Sequence, residues 1–301
     1  MTPRPVLVDT DPGLDDALAI LLVLAHPGFA LRGVTTLAGN IGLERTSANA
    51  GALLALAGRH DVPLHAGAAA PSVRAGIDEA AIHGADGLGG VALPAPVPAR
   101  TGSAARFLAE TLRTEAAGTI DLLCLGPLTN LARLLEEAPD AARRIGRVVA
   151  MGGTIREPGN VGPMSEFNLA YDPEAADAVL RAGLDLTLVP LDATRRVRAS
   201  RDTVRDLLAL SSPLARKAGE IVEAYFRDAA TRESRPLHDP CVPLQLLRPD
   251  LFPAETLHLR VDRSDGPEAG RLHVDPTGAP ANVALGADGE AALALFVQSL
   301  R

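Results

Sequence analysis

Four aspartates fall within eight residues, Asp9, Asp11, Asp15 and Asp16, in the run Asp9-Thr10-Asp11-Pro12-Gly13-Leu14-Asp15-Asp16. Carboxylates this close repel one another unless protons or a cation neutralise them. Hard divalent cations take such oxygen ligands. The run follows the apolar Val6-Leu7-Val8 and precedes a stretch with apolar residues on nearly every helical turn. Acids at a helix start also cap backbone N–H groups and suit the helix dipole. Capping accounts for Asp15 or Asp16. It does not account for four acids directly after a buried strand, so the spacing favours a metal site.

Such a cluster needs a rigid frame. Strand-like apolar runs at 6–8, 31–37, 62–64, 120–125, 148–151 and 186–191 alternate with helical patterns at 15–25, 43–58, 103–116, 128–137 and 173–182. This alternation predicts an α/β fold: a mostly parallel central sheet with helices on both faces, Rossmann-like, as one domain over 1–301. Ligands bind such sheets at the carboxyl ends of the strands, where Asp9 stands. After residue 200 the pattern gives helices at 201–210, 213–230, 242–247 and 288–300, with short strands at 256–261 and 271–274. The Gly- and Pro-rich stretch from about 67 to 99 is long for a loop, and long loops often act as lids.

The net charge of −8 and the lack of a concentrated basic face argue against nucleic-acid binding. Lys217 is the only lysine; the arginines at 195, 196, 198 and 201 lie between Asp192 and Asp202 and read as a solvated segment. Cys124 and Cys241 form no metal or disulfide pattern. No secretory h-region follows residues 1–5 and no apolar stretch reaches ~20 residues. A cytoplasmic setting is the expectation.

The acidic run, extended to Ala17, resembles the N-terminal motif of the inosine-uridine-preferring nucleoside hydrolases. Further motifs of that family follow in order. They are Leu37-Ala38-Gly39-Asn40, Ile82-His83-Gly84, Leu125-Gly126-Pro127-Leu128-Thr129-Asn130, Met151-Gly152-Gly153, Glu166-Phe167-Asn168 with Asp172-Pro173-Glu174-Ala175, and His238-Asp239. One alone is weak; the ordered set is specific.

The resemblance implies hydrolysis of the N-glycosidic bond of ribonucleosides, with Ca2+ held by Asp11, Asp16, Asp239 and the backbone carbonyl of Leu125. It implies Asp11 as the base taking a proton from a calcium-bound water, and inversion at the anomeric carbon. Asp15, Asn40, Asn160, Glu166 and Asn168 would bind the ribose, with Met151 packed against it. Glu166 and Asn168, two apart, would face the same way in an extended segment while Phe167 turns into the core. His238 would protonate the leaving base or hold the ribose 5′ end, and His83 would close over the base. The other histidines (26, 60, 65, 258 and 273) read as surface or structural residues. Purine-specific relatives stack the base between tryptophans, and this chain has none, which points to a pyrimidine or broad preference. Tyr225 and Phe226 are the candidates for the base pocket. The segment 227–235 departs from its counterpart in bacterial relatives, so base contacts do not carry over there. Relatives form dimers or tetramers, so a homo-oligomer is implied.

Two other readings compete. Haloacid-dehalogenase-type phosphatases also place Asp-x-Asp after a first strand, with the first Asp as nucleophile. They need a phosphate-binding cation and a later acidic pair, and no acidic pair follows Lys217. The second is a nucleoside-binding protein without catalysis; the complete set of acids argues against it.

Overall fold

The computed structural model describes residues 2–77, 84–227 and 233–301; His83 lies outside them. β1 (Arg4–Thr10) is the expected apolar run, buried from Val6 onward because strands flank it and helices cover both its faces. β2 (Phe29–Thr36) and β3 (Leu64–Ala66) extend the sheet in parallel on one side. β4 (Asp121–Cys124), β5 (Val148–Met151) and β6 (Leu186–Val189) extend it in parallel on the other. β7 (Arg198–Ser200) and β8 (Ser234–Pro236) form a separate antiparallel ribbon. β9 (Ala254–Val261) and β10 (Leu272–Val274) pair antiparallel at the far edge, and β11 (Ala279–Ala284) joins β9 to β6.

The sheet order is β10-β9-β11-β6-β5-β4-β1-β2-β3. The chain moves from β1 out to β3, then returns to β4 on the opposite side of β1. β1 and β4 therefore straddle the switch point, where the loops leaving the strand ends diverge and open a crevice.

Helices cover both faces. α1 (Leu14–Ala25), α2 (Leu43–Leu56), α3 (Ala104–Thr114), α4 (Thr129–Glu137), α5 (Pro139–Ala142), α6 (Phe167–Tyr171), α7 (Pro173–Leu180), α8 (Leu191–Thr194), α9 (Arg201–Ala209), α10 (Pro213–Ala224), α11 (Cys241–Leu247) and α12 (Gly289–Ser299) complete the chain. Val6 and Val8 meet Leu18, Leu22, Ile221, Leu244 and Phe296 in one core; Leu7, pointing the other way, meets Leu108, Leu131 and Val179 in a second. α1 is buried along its length from Leu14 to Val23 because it packs between the sheet and α10. No helix among the described residues is long and apolar enough to cross a membrane.

Several elements differ from the sequence pattern, among them the short β7–β8 ribbon and the helical turn at 191–194. The third strand begins at Leu64 rather than Val62, since Pro63 has no N–H to give a ladder. Residues 279–284 form a strand although Ala, Pro and Asn favour none; pairing with β9, and with β6 at Asn282 and Val283, decides. Residues 167–171 are helical, not extended.

Candidate active site

The acidic run turns from strand to helix at the crevice. Asp9 and Thr10 end β1, Asp11 to Gly13 make the turn, and Asp15 and Asp16 lie in the first turn of α1. Asp16 folds back as a cap. Its Oδ1 accepts from the Thr10 hydroxyl (2.6 Å) and the Asp11 N–H (3.2 Å), and its Oδ2 from the Gly13 N–H (3.1 Å) and Asn40 Nδ2 (2.9 Å). Asn40 also donates its own N–H to Asp11 Oδ2 (2.7 Å) and its side-chain amide to the Asp11 carbonyl (3.1 Å). It thus ties Asp11 to Asp16.

Asp11 is buried between two backbones. A Cβ at Gly39 would lie 2.0 Å from its Oδ2, and one at Gly126 2.1 Å from its Oδ1. Only residues without a side chain let both strand ends approach so closely. Among the described residues Asp11 Oδ1 has no hydrogen-bond partner, nor does Asp15 Oδ1. Burial pushes Asp11 well above the usual carboxylate range, and the charge of Asp16 adds to this. Burial does the same to Asp239, aided by Asp16, Asp15 and Asp11. Asp15 is raised to about 7 by burial, despite the N–H that His238 donates to its Oδ2 (2.8 Å).

These carboxylates disfavour one another's charge, and two of them keep a buried oxygen without a partner. A divalent cation resolves both problems, and hard oxygen donors suit it. Among the described residues, no three acidic, His or Cys side chains already surround a point at metal-ligand spacing. The Asp16 oxygens face the Thr10 hydroxyl, two backbone N–H groups and the Asn40 amide. The residues fit a cation in charge and donor type, with the Leu125 carbonyl beside them in the cleft.

The cleft above has a volume of about 370 Å³. Of the residues expected to meet metal or ribose, Asp15, Asn40, Leu125, Met151, Asn160, Glu166, Asn168, His238 and Asp239 line it. Asp11 and Asp16 lie buried beneath them. The convergence of Glu166 and Asn168 has a different cause from strand alternation. Glu166 caps α6, accepting from the N–H groups of Asn168 (2.9 Å) and Leu169 (3.3 Å), and also from Gly153 (2.8 Å). Asn168, in the first turn, donates Nδ2 to the carbonyls of Leu125 (2.8 Å) and Met151 (3.2 Å). Phe167 lines the cleft rather than turning into the core. Asn160 holds this corner by accepting the Phe167 N–H (2.9 Å).

His238 is fixed by its Nδ1 against the hydroxyl of Thr194 (2.7 Å). Tyr225 lines the cleft, but Phe226 is buried in the core with the Arg201 guanidinium over its ring (4.8 Å). The arginine segment is not simply solvated: Arg195 and Arg198 also line the cleft. Asp192 does not neutralise it, because its carboxylate is turned to the N–H groups of Ile155 and Arg156 (both 2.8 Å).

Asp9 stands apart. Its Oδ1 accepts from Thr35 (2.5 Å) and Asn130 (2.8 Å). It is buried, and these bonds hold it to β2 and α4, away from the Asp11, Asp16 and Asp239 group, which does not suit the nucleophile's part that the phosphatase reading requires. Burial, only partly offset by those hydrogen bonds, raises it to about 7.

Known proteins share this architecture. A family model described as inosine-uridine preferring nucleoside hydrolase matches residues 6–294. The pyrimidine-specific ribonucleoside hydrolase RihA of Shewanella sp. (strain ANA-3) is 37% identical over 307 residues, spanning 99% of this chain and 96% of the relative. The structure of a purine-preferring ribonucleoside hydrolase from Gardnerella vaginalis superposes with a TM-score of 0.91 at 29% identity, over 99% of this chain and 98% of that one. That of a plant nucleoside hydrolase, PpNRh1, superposes with a TM-score of 0.89 at 32% identity, over 99% of both chains. With a match over nearly its whole length, and the strand-end acids gathered at the crevice, the chain belongs to the inosine-uridine preferring nucleoside hydrolase family, a family of N-glycosyl hydrolases.

Proposed function

We propose that this protein hydrolyses ribonucleosides to free base and ribose at the Asp11 cluster, with calcium held by Asp11, Asp16, Asp239 and the Leu125 carbonyl. The observation that carries this is the grouping of mutually destabilised, buried carboxylates beneath a cleft lined by ribose-sized polar contacts. The bound cation would neutralise the cluster and acidify a water.

The chain's own groups then divide the work. Asp11 takes a proton from the attacking water, using the Oδ1 that has no partner among the described residues. Water attacks the anomeric carbon from the face opposite the base, so the configuration inverts. The sugar passes through an oxocarbenium-like state, which the surrounding carboxylate oxygens stabilise electrostatically. Asp15, Asn160, Glu166 and Asn168 orient the ribose hydroxyls; Asn40 lines the same cleft and keeps Asp11 and Asp16 in register. Met151 supports the sugar from below. His238 gives a proton to the departing base, its ring oriented by Thr194.

Base preference is proposed to be pyrimidine or broad, since a pyrimidine-specific and a purine-preferring hydrolase both resemble the chain and it has no tryptophan. A homodimer or homotetramer in the cytoplasm is the setting proposed for it. The functional test is a panel of uridine, inosine, cytidine, adenosine and guanosine with ribose release measured. Release from at least one supports the reading, and release from none contradicts it.

Two further outcomes follow from the geometry. Alanine at Gly39 or Gly126 is expected to push the Asp11 carboxylate aside and lower kcat about 10²-fold, with steady-state kinetics as the check. Near-normal turnover in both variants would remove the claim that Asp11's position matters. Thr194→Val is expected to lower turnover of natural nucleosides about 2- to 12-fold by freeing the His238 ring. The loss should shrink with substrates carrying an activated leaving group, and Thr194→Ser should retain most activity. Equal losses on both substrate types would argue that His238 is not the leaving-group acid.

A further inference from the structure

Three guanidinium groups line the cleft, those of Arg195, Arg198 and Arg235, and the mechanism above uses none of them. Two are occupied. Arg195 donates to the carbonyls of Pro158 (2.6 Å) and Gly159 (3.1 Å). Arg198 donates to the hydroxyl (2.8 Å) and carbonyl (3.0 Å) of Ser234.

Arg235 is different. Its guanidinium lies over the ring of Tyr225, 5.3 Å from the centroid. Its Nε is buried without a hydrogen-bond partner among the described residues, and no ion pair joins it to a described carboxylate. The Nε itself is closed to the cleft, but the guanidinium as a whole has no hydrogen-bond partner among the described residues and lines the cleft, where a ligand could supply an acceptor to its terminal N–H groups. Arg235 reaches the cleft because β8 pairs with β7, setting Arg235 opposite Ala199. Around it stand groups that the proposed reaction assigns to the ribose and to the departing base. Tyr225 bonds through its hydroxyl to Asp15, and His238, three residues after Arg235, donates its N–H to the same carboxylate.

The chemistry of the missing acceptor can be narrowed. Asp15, Glu166 and Asp239 line the same cleft, so a phosphate dianion would be repelled. A neutral carbonyl on a planar ring fits better beside a guanidinium stacked on an aromatic face. When the C1′–N bond breaks, its electron pair goes to the base nitrogen and spreads onto the base's carbonyl oxygens. The water oxygen bonds to C1′, its proton goes to Asp11, and the base nitrogen is protonated from His238. A donor at a base carbonyl therefore strengthens as the bond breaks.

Resting on the nucleoside hydrolase reading, we propose that Arg235 donates to a carbonyl oxygen of the departing base. It thereby selects oxo-bases, such as uracil and hypoxanthine, over adenine, which carries no carbonyl. The test compares kcat/KM for uridine, inosine, adenosine, p-nitrophenyl riboside and uridine 5′-phosphate in the wild type, Arg235→Met and Arg235→Lys.

Arg235→Met is expected to lose about 10- to 100-fold on uridine and inosine, and at least fivefold less on adenosine and p-nitrophenyl riboside. Arg235→Lys keeps the charge without the planar fork, so it should fall between, and it supplies the answer if the methionine variant does not fold. Equal losses on all substrates would overturn the proposal while leaving the hydrolase reading intact. So would a wild-type preference for uridine 5′-phosphate over uridine that Arg235→Met abolishes, since the guanidinium would then read a phosphate. A wild type that releases base from no substrate would overturn both.

Discussion

Asp11→Asn is expected to lower kcat by about 10²- to 10⁴-fold, the contribution of a positioned general base, and by more where cation binding is also weakened. The site explains the size of the effect. Asp11 is wedged between Gly39 and Gly126, its Oδ2 is held by the Asn40 N–H, and its Oδ1 has no partner among the described residues. An amide in that place cannot accept a proton, and it offers a cation one neutral oxygen. The fold should not suffer. The ionised carboxylate is disfavoured there by burial and by Asp16, so it works against the metal-free folded state. Thermal unfolding of the metal-free variant should therefore occur at the same temperature as the wild type or higher. Near-wild-type turnover in a folded variant would remove Asp11 from the mechanism.

The second large effect is that of the cation. Exhaustive chelation is expected to abolish turnover, and calcium to restore it. Calcium at a hundred times its Kd should stabilise the fold by about 2.7 kcal/mol, a rise of roughly 4 °C for a chain of this size. The gain arises because the cation offsets the burial, and with it the mutual repulsion, that raise Asp11, Asp15 and Asp239. The rise should be much smaller in Asp239→Asn, which removes one charged donor. Full activity in protein shown by elemental analysis to be free of metal would refute the role of the cation.

The frame of the site was legible because its signals are local. Val6-Leu7-Val8 and the four acids after it are neighbours in sequence, and a strand end in an α/β sheet is where ligands bind. What sequence could not reveal depends on contacts between distant segments. Asn40 and Asn168 read as ribose contacts, yet one ties Asp11 to Asp16 and the other fixes the Leu125 carbonyl, through hydrogen bonds spanning 24 and 43 residues. Capping and a metal site looked like competing accounts of Asp16; the same carboxylate both caps α1 and stands beside Asp11 and Asp239. Arg195 and Arg198 looked solvated because Asp192 stood near in sequence, but that carboxylate serves a turn instead. Thr194 and Arg235 carried no signal at all; their parts depend on α8 and the β7–β8 ribbon meeting the cleft.

The most direct measurement is a proton NMR time course of uridine and inosine with the calcium-loaded protein, following free base and the first sugar anomer formed. Water attacking opposite the base at the Asp11 cluster predicts free base together with α-ribose, before mutarotation yields the β form. No base release, or β-ribose appearing first, would contradict it.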